Sequence, residues 1–242
     1  MYEAGNHLLV CAEYSDPELH SHSAAHIMIS LGEKIKIITE NEKAQSRGVL
    51  IPSGMMHTAN TDNNKVLVFM FDNTTSAANQ IQKLRILSDE AVDEIIKAYI
   101  CFEESDKSGY GRFIKCVYKY TGIKGTENMI SDKRIVCALT YIQAKLEGKV
   151  TCSDVAKHVF LSEGRFSHLF KEQVRMTFSA YLIYQRIIKV YTEIINGKSI
   201  TEAAIEAGFS STAHFAATNK KLFGLSARAV KKGLEFYKIA EI

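Results

Sequence analysis

The stretch Ile200-Thr-Glu-Ala-Ala-Ile-Glu-Ala-Gly-Phe-Ser-Ser211 decides the fold of the carboxyl-terminal part of this chain. Ser199 precedes it, and a hydroxyl residue followed three positions later by the acid Glu202 has the pattern of a capping box at a helix start. The small residue Ala204 follows within the helix, then a turn at Gly208, then two serines that can start another helix. Two helices joined by a tight turn form a helix-turn-helix unit, which can place its second helix in the major groove of DNA.

A second copy of this pattern lies 48 residues earlier in the chain. Thr151 and Asp154 have the spacing of a capping box, and Ala156 stands where the other copy has Ala204. The turn Val159-Phe160-Leu161 is followed by Ser162, a residue that favours helix starts. We expect the second helices of the two units to end near Lys171 and Lys221. Small residues at equivalent positions allow the helices of each unit to pack closely.

The residues between the two units predict a rigid spacer. The stretch from Phe178 to Asn196 is amphipathic with helical spacing, and Gly197 follows as a natural helix stop. Such a helix would fix the distance between the two reading helices. They would then enter successive major grooves on one face of the DNA, about 34 Å apart.

The charge of the chain is distributed unevenly. Residues 1–129 hold 13 Lys and Arg against 17 Asp and Glu, whereas residues 130–242 hold 17 against 10. The net charge is therefore −4 in the first part and +7 in the second. A basic carboxyl-terminal half indicates contact with a polyanion.

The carboxyl-terminal region resembles the AraC/XylS family of transcription regulators, from Arg134 to Gly233. The match is carried by Leu161-Ser162, Leu169-Phe170-Lys171, Phe178-x-x-Tyr181-Leu182, Arg186, the opening stretch through Ser211, Phe215 and Phe223-Gly224. The resemblance implies sequence-specific binding to double-stranded DNA and control of transcription, without catalysis, and RNA polymerase as a partner if the protein is an activator. Asn219, where the family has an aromatic, and Ala227, where it has proline, depart from the pattern. Phe160 lies in a turn that glycine would enter more easily.

The resemblance also implies which side chains meet DNA. In the first unit Glu163, Gly164, Ser167 and His168 would face base edges, with Arg165 and Lys171 beside phosphates. In the second unit Thr212, Ala213, Ala216 and Ala217 would face the groove, with Lys220 and Lys221 on the backbone. Alanine can contact only a thymine methyl group. We therefore expect the first unit to provide most of the sequence discrimination.

The amino-terminal part has a different periodicity. Residues 1–75 contain short runs rich in Val, Ile, Leu and Phe separated by Gly, Asn, Asp and Ser, which predicts a small antiparallel barrel or sandwich. Residues 76–122 have helical spacing and predict a helical hairpin. Residues 123–131 are the expected linker, and 132–242 the all-α DNA-binding domain. The fold class predicted is thus α+β with several domains, beginning with a sensor barrel.

Residues 20–60 resemble the cupin pattern. His20-Ser-His22 and His57 match three positions of the cupin metal-ligand set, and His26 stands where a glutamate is expected. The alternative function is therefore a metal-dependent cupin protein or a metal-sensing regulator, with a divalent metal on these four histidines. In the favoured interpretation there is no cofactor, and the histidines form hydrogen bonds with an effector or with each other.

The remaining expectations concern partners and location. The apolar residues Ile27, Ile29, Ile35, Ile37 and Val68 would line a pocket for a small-molecule effector, unless they fill the barrel. The hairpin would either cover the barrel or form the face of a homodimer, and we favour the homodimer.

The five cysteines are scattered and there is no long apolar run, so we expect a cytoplasmic protein with reduced thiols and no membrane contact. A regulator controlled by a partner protein is the third alternative. There is no phosphate-binding glycine loop and no nucleophile motif, which disfavours an enzyme.

Overall fold

The fold is described from a computed structural model, which covers residues 2–4, 7–13, 19–21, 24–62, 64–103, 109–125 and 129–223. The chain divides into two compact units. The first, called here the sheet unit, comprises Met1–Glu127 and Lys221–Ile242, and the second, the helical unit, comprises Asn128–Lys220. Each unit has its own apolar core and is described by itself.

The sheet unit contains nine described strands in two antiparallel sheets. The larger sheet has the order β1-β2-β8-β3-β6-β9 and the smaller one has the order β5-β4-β7. The strands are β1 (Tyr2–Ala4), β2 (His7–Glu13), β3 (Ala25–Ser30), β4 (Ile35–Thr39), β5 (Lys43–Ser46), β6 (Gly48–Ile51), β7 (His57–Asn60), β8 (Lys65–Phe71) and β9 (Arg85–Ile86).

The prediction of a barrel needs correction, because both sheets end in edge strands. In the described residues the larger sheet stops at β1 and β9 and the smaller one at β5 and β7, so neither closes on itself. The runs of apolar residues identify strands but not their partners, which are chosen by long-range pairing. Every residue of β3 and β6 is buried, as in central strands covered on both faces, whereas β4 alternates between buried and exposed side chains.

Three helices complete the sheet unit: α1 (Ser76–Gln80), α2 (Asp89–Glu103) and α3 (Tyr110–Thr121). Helices α2 and α3 contact each other as the predicted hairpin. Val92 and Phe113 lie in the same apolar core as Ile27 and Ile29 of β3. The hairpin therefore covers the sheet, and these two isoleucines fill the core. Ile100 of α2 is 50% exposed.

The helical unit is built from α4 (Lys133–Lys145), α5 (Cys152–His158), α6 (Glu163–Val174), α7 (Phe178–Ile195), α8 (Ile200–Glu206) and α9 (Thr212–Phe223). Helix α9 extends three residues past the boundary of the unit. Helix α7 contacts both α6 and α8, so it joins the two predicted helix-turn-helix units. Among all the helices that the structure describes, none combines the length and hydropathy that a membrane span requires.

Candidate nucleic-acid interface

Helices α5 and α6 form the first helix-turn-helix unit. The predicted capping box is present, since the Thr151 hydroxyl accepts from the Asp154 backbone N–H and the Asp154 carboxylate accepts from the Thr151 backbone N–H. The Ser162 hydroxyl caps α6 by accepting from the backbone N–H of Arg165. Between the helices, Phe160 adopts φ of 57° and is 95% exposed. The turn is closed by the Leu161 N–H, which donates to the α5 backbone.

Helices α8 and α9 repeat this geometry. Ser199 and Glu202 form the second capping box. Gly208 takes the turn position of Phe160 with φ of 84°, a conformation that glycine enters without steric cost. The Phe209 N–H donates to the Ala204 oxygen over 3.0 Å, and in the first unit the Leu161 N–H donates to the Ala156 oxygen over 2.9 Å. Both alanines are buried, which confirms the close packing predicted from the sequence.

The predicted contact residues of the first unit share the exposed face of α6. Its opposite face, formed by Phe166, Phe170 and Val174, is buried. The exposed residues are Glu163, Gly164, Arg165, Ser167, His168 and Lys171. The Ser167 hydroxyl lies 3.2 Å from the Cys152 sulfur at the start of α5, a neighbour that the sequence pattern did not indicate.

The predicted contact residues of α9 differ in how far they are exposed to solvent. Ala213, Ala217, Lys220 and Lys221 are exposed, whereas Thr212 and Ala216 are half-buried. The Thr212 hydroxyl donates to the Thr201 hydroxyl of α8 over 3.2 Å, which directs it toward the neighbouring helix. The centre of the exposed face of α9 therefore consists of two methyl groups followed by two lysines.

His214 is a polar residue of this face that the sequence analysis missed. It is exposed in the first turn of α9, and its Nδ1 lies 3.0 Å from the Ser210 hydroxyl. Matching Phe166 with Phe215 in the internal repeat places His214 opposite Arg165, one of the predicted phosphate contacts. The repeat itself was the signal that could have identified it.

Aromatic rings pack behind both reading helices, and α9 has a buried hydrogen bond in addition. Behind α6 the centroids of contacting rings lie 5.4–5.9 Å apart, among Phe166, Phe170, Phe178 and Tyr181. Behind α9 the ring of Phe215 packs edge to face with that of Tyr191. Behind α9 the hydroxyl of Tyr191 donates to the side-chain oxygen of buried Asn219 over 2.5 Å. The departure from the family pattern at Asn219 thus introduces a buried hydrogen bond between α7 and α9. Ala227 lies outside the described residues.

Arg186 of α7 lies beside both helix-turn-helix units. Its guanidinium donates to the Gly148 carbonyl oxygen before α5 over 3.0 Å. A β-carbon added at Gly208 would stand 3.0 Å from the same guanidinium. Desolvation by burial lowers the pKa of Arg186. Glycine at the second turn therefore adopts the left-handed backbone without strain and leaves space for the close approach of Arg186.

Several cations of the helical unit are already paired, and others are available. Lys189 pairs with Glu147, and Lys198 contacts two glutamates. In the described part of the chain, Arg165 and Lys171 form no ion pair. Both are exposed on the face of α6 that carries the predicted base contacts. With α6 in the major groove, as predicted, these two side chains could contact DNA phosphates.

Three of the four predicted metal ligands, His20, His26 and His57, lie close together in the sheet unit. The His57 ring centroid is 4.6 Å from that of His20 and 4.8 Å from that of His26. The His57 Nδ1 donates to the Met55 carbonyl oxygen over 2.8 Å, and burial lowers the pKa of His57 to about 4. No group of three His, Cys, Asp or Glu side chains with metal-holding geometry occurs in the described ranges. His22 lies outside them, and the metal interpretation has no support.

Comparison with known proteins identifies the helical part of the chain. A family model described as a helix-turn-helix domain matches residues 155–233. The transcriptional regulator LumQ of Photobacterium leiognathi is 24% identical over 86% of this chain and 89% of its own length. The regulatory protein PocR of Salmonella typhimurium is 31% identical over 42% of this chain, which spans only 34% of PocR.

Solved structures show the same fold over nearly the whole chain. Apo ToxT from Vibrio cholerae covers 93% of this chain and 95% of its own, with a TM-score of 0.59 at 13% identity. Wild-type ToxT with a bound unsaturated fatty acid covers 99% and 100%, with a TM-score of 0.57 at 15% identity. The matched helix-turn-helix model covers most of the two capped helix pairs and the whole of α7, which joins them.

Proposed function

We propose that this protein regulates transcription by binding double-stranded DNA through α6 and α9, under the control of a small molecule bound to the sheet unit. The observation that carries the proposal is the repeated capped helix pair, in which both turns close with the same backbone hydrogen bond. A helix whose start is exposed and whose far side is packed on a rigid spacer can enter the major groove.

The two reading helices have different proposed roles. Glu163, Ser167 and His168 offer acceptors and donors to base edges, while Gly164 allows the backbone to approach. In α9, Ala213 and Ala217 offer methyl groups only. We therefore propose that α6 selects the DNA sequence and that α9 contributes affinity through Lys220, Lys221 and His214. The imidazole of His214 would add a polar contact to the DNA backbone.

A comparison of half-sites tests this division. We expect the pair Ser167→Ala/His168→Ala to abolish discrimination at one half-site, at about 1–3 kcal/mol for each lost base contact. Thr212→Ala, whose hydroxyl points to Thr201, should leave discrimination nearly unchanged. The measurement is footprinting on sites selected from random DNA and then altered one half at a time. Equal loss from both variants would contradict the proposal, and no binding to any selected site would overturn the regulator itself.

The control by a small molecule is supported by ToxT, which shares the fold and has been solved with an unsaturated fatty acid bound. An effector would change DNA affinity only if it binds one state of the protein more tightly than another. We place its site in the sheet unit because the helical unit supplies the DNA contacts. If the protein activates transcription, RNA polymerase is the further partner.

The hairpin α2–α3 is the proposed face of a homodimer. It covers the sheet with one side, and on its other side Ile100 is 50% exposed. A dimer would raise the affinity for DNA through two linked contacts. We expect sedimentation at micromolar concentration to give a dimer, and Ile100→Glu to shift it toward the monomer. The matched control is Val136→Glu on α4, an apolar residue outside the hairpin that is 44% exposed. A wild-type monomer would refute the dimer alone.

A further inference from the structure

A cleft in the sheet unit lies between β6, β9 and the end of α1. It has a volume of about 310 Å³ and is lined by Leu50, Gln80, Ile81, Gln82, Lys83 and Arg85. This size lies at the lower end of the ~300–1,000 Å³ that is usual for small-molecule sites. The cleft is distinct from the histidine group and from the reading helices.

The floor of the cleft is apolar and belongs to the core. Leu50 is 1% exposed and Ile81 is 3% exposed, and both are members of the apolar core of the sheet unit. Leu50 and Arg85 are paired residues of the antiparallel strands β6 and β9. Paired residues project to the same face of a sheet, so the Arg85 side chain stands beside the apolar floor.

The rim of the cleft is cationic. None of the six lining residues is acidic, while Lys83 and Arg85 both carry a positive charge. Arg85 uses one guanidinium nitrogen to donate to the Thr121 carbonyl oxygen. Within the described residues Lys83 has no carboxylate partner, in contrast to Arg47, which pairs with Asp93 in the same unit. Two cations beside an apolar floor are complementary to a small amphiphilic anion.

One wall of the cleft holds the first residues of the predicted linker, which spans residues 123–131. The Gln80 side-chain oxygen accepts from the Lys124 backbone N–H over 2.8 Å, and its amide donates to the Gly125 carbonyl oxygen over 3.3 Å. Ser76, also on α1, donates to the same Gly125 oxygen over 2.9 Å. A molecule that displaces Gln80 would therefore release main-chain contacts at residues 124 and 125.

We propose that this cleft binds a small carboxylic acid and that binding changes DNA affinity through Gln80. The hydrocarbon chain displaces Gln80 to reach the nearly buried Leu50 and Ile81, and the carboxylate pairs with Lys83 and Arg85. The inference rests on the proposed function, since it names the class of effector and its site. The two claims, ligand binding and its effect on DNA, are tested separately.

Binding is measured by calorimetry on the full chain with hexanoate, and with acetate and hexanol as the headgroup-only and chain-only probes. We expect saturable binding of hexanoate that is tighter than that of either control. Lys83→Met should weaken it up to about fivefold, the range of a partly exposed ion pair. Lys115→Met, which removes an exposed lysine of α3, should leave it unchanged. Absence of saturable hexanoate binding, or equal effects of the two variants, would overturn the site.

The effect on DNA is measured by titrating a selected DNA site with and without hexanoate. Wild-type affinity should change with hexanoate, whereas Gln80→Met, which lacks the contacts that hexanoate must break, should bind hexanoate at least as tightly as wild type but show no change in DNA affinity. A Gln80→Met protein that responds like wild type would overturn the coupling. Failure of the unliganded chain to bind DNA would instead refute the proposed function, and hexanoate binding would still be measurable.

Discussion

Phe160 and Gly208 occupy equivalent positions in the turns of the two helix-turn-helix units, and both have positive φ. For an L-residue with a side chain, the left-handed conformation costs roughly 1–2 kcal/mol. Glycine avoids that cost but loses about 0.5–1 kcal/mol more conformational entropy on folding. Since Phe160 is almost fully exposed, its ring gains little by burial. The first turn therefore carries a strain that the second turn lacks.

We expect Phe160→Gly to raise the free energy of unfolding of the helical unit by up to about 1 kcal/mol, the difference between relieved strain and added entropy. The measurement is urea unfolding followed by circular dichroism. Phe160→Ala is the matched control, since it removes the ring but keeps the β-carbon and the strain, and it should show no increase. Lower stability of the glycine variant would mean that the exposed ring itself stabilises the unit.

Helices α6 and α9 repeat the same element, and aromatic rings pack behind both. In α9 a buried hydrogen bond between Tyr191 and Asn219 is added, and it connects α9 to α7. Ring packing is tolerant of small shifts, but a hydrogen bond weakens steeply when its geometry changes. The position of α9 therefore depends on the geometry of this residue pair as well as on ring packing.

We expect Tyr191→Phe to lower the free energy of unfolding of the helical unit by about 1 kcal/mol, because it removes the hydroxyl but keeps the ring. Thermal and urea unfolding measure this loss. Tyr141→Phe is the control, since the Tyr141 hydroxyl has no hydrogen bond among the described residues while its ring stacks on His158. A loss of equal size in both variants would argue against a special role for the Tyr191 hydroxyl.

The elements of the helical unit were predictable because their signals are local. Thr151 and Ser199 mark helix starts through contacts within three residues, and the spacer predicted from Phe178 to Asn196 matches α7. The architecture of the sheets was not predictable from the sequence, because β8 pairs with β2 and β3, which are far away along the chain. The exposed position of Ile100 and the orientation of Thr212 toward Thr201 also depend on neighbours from other elements. Helical spacing places residues on a face but does not identify what covers it.

At the scale of the whole molecule, buried histidines make the stability of the sheet unit depend on pH. Burial lowers the pKa of both His7 and His57 to about 4, and near His57 the charge of His20 acts in the same direction while the Met55 carbonyl opposes it. His7 is hydrogen bonded to the Tyr110 hydroxyl inside the aromatic core. The unfolded chain, with histidine pKa near 6.5, thus binds more protons than the folded chain at mildly acidic pH.

We expect stability to be constant above about pH 7.5 and to fall as the pH decreases from about 6.5 toward 4, by up to about 2 kcal/mol for each histidine at pH 5. Urea unfolding of the full chain between pH 7.5 and 5 measures the slope. His57→Gln should reduce it, and His168→Gln on the exposed face of α6 should not. A slope unaffected by His57→Gln would show that this histidine is protonated without penalty in the folded state.

The methyl groups at Ala213 and Ala217 leave room on the exposed surface of α9, which we propose faces DNA. Longer polar side chains can be introduced there without touching buried Phe215 and Asn219, so a preference for a new half-site can be installed while α6 retains its own. Retargeting of this regulator would thus begin at α9, and its descendants or engineered variants could share one half of their operators and differ in the other.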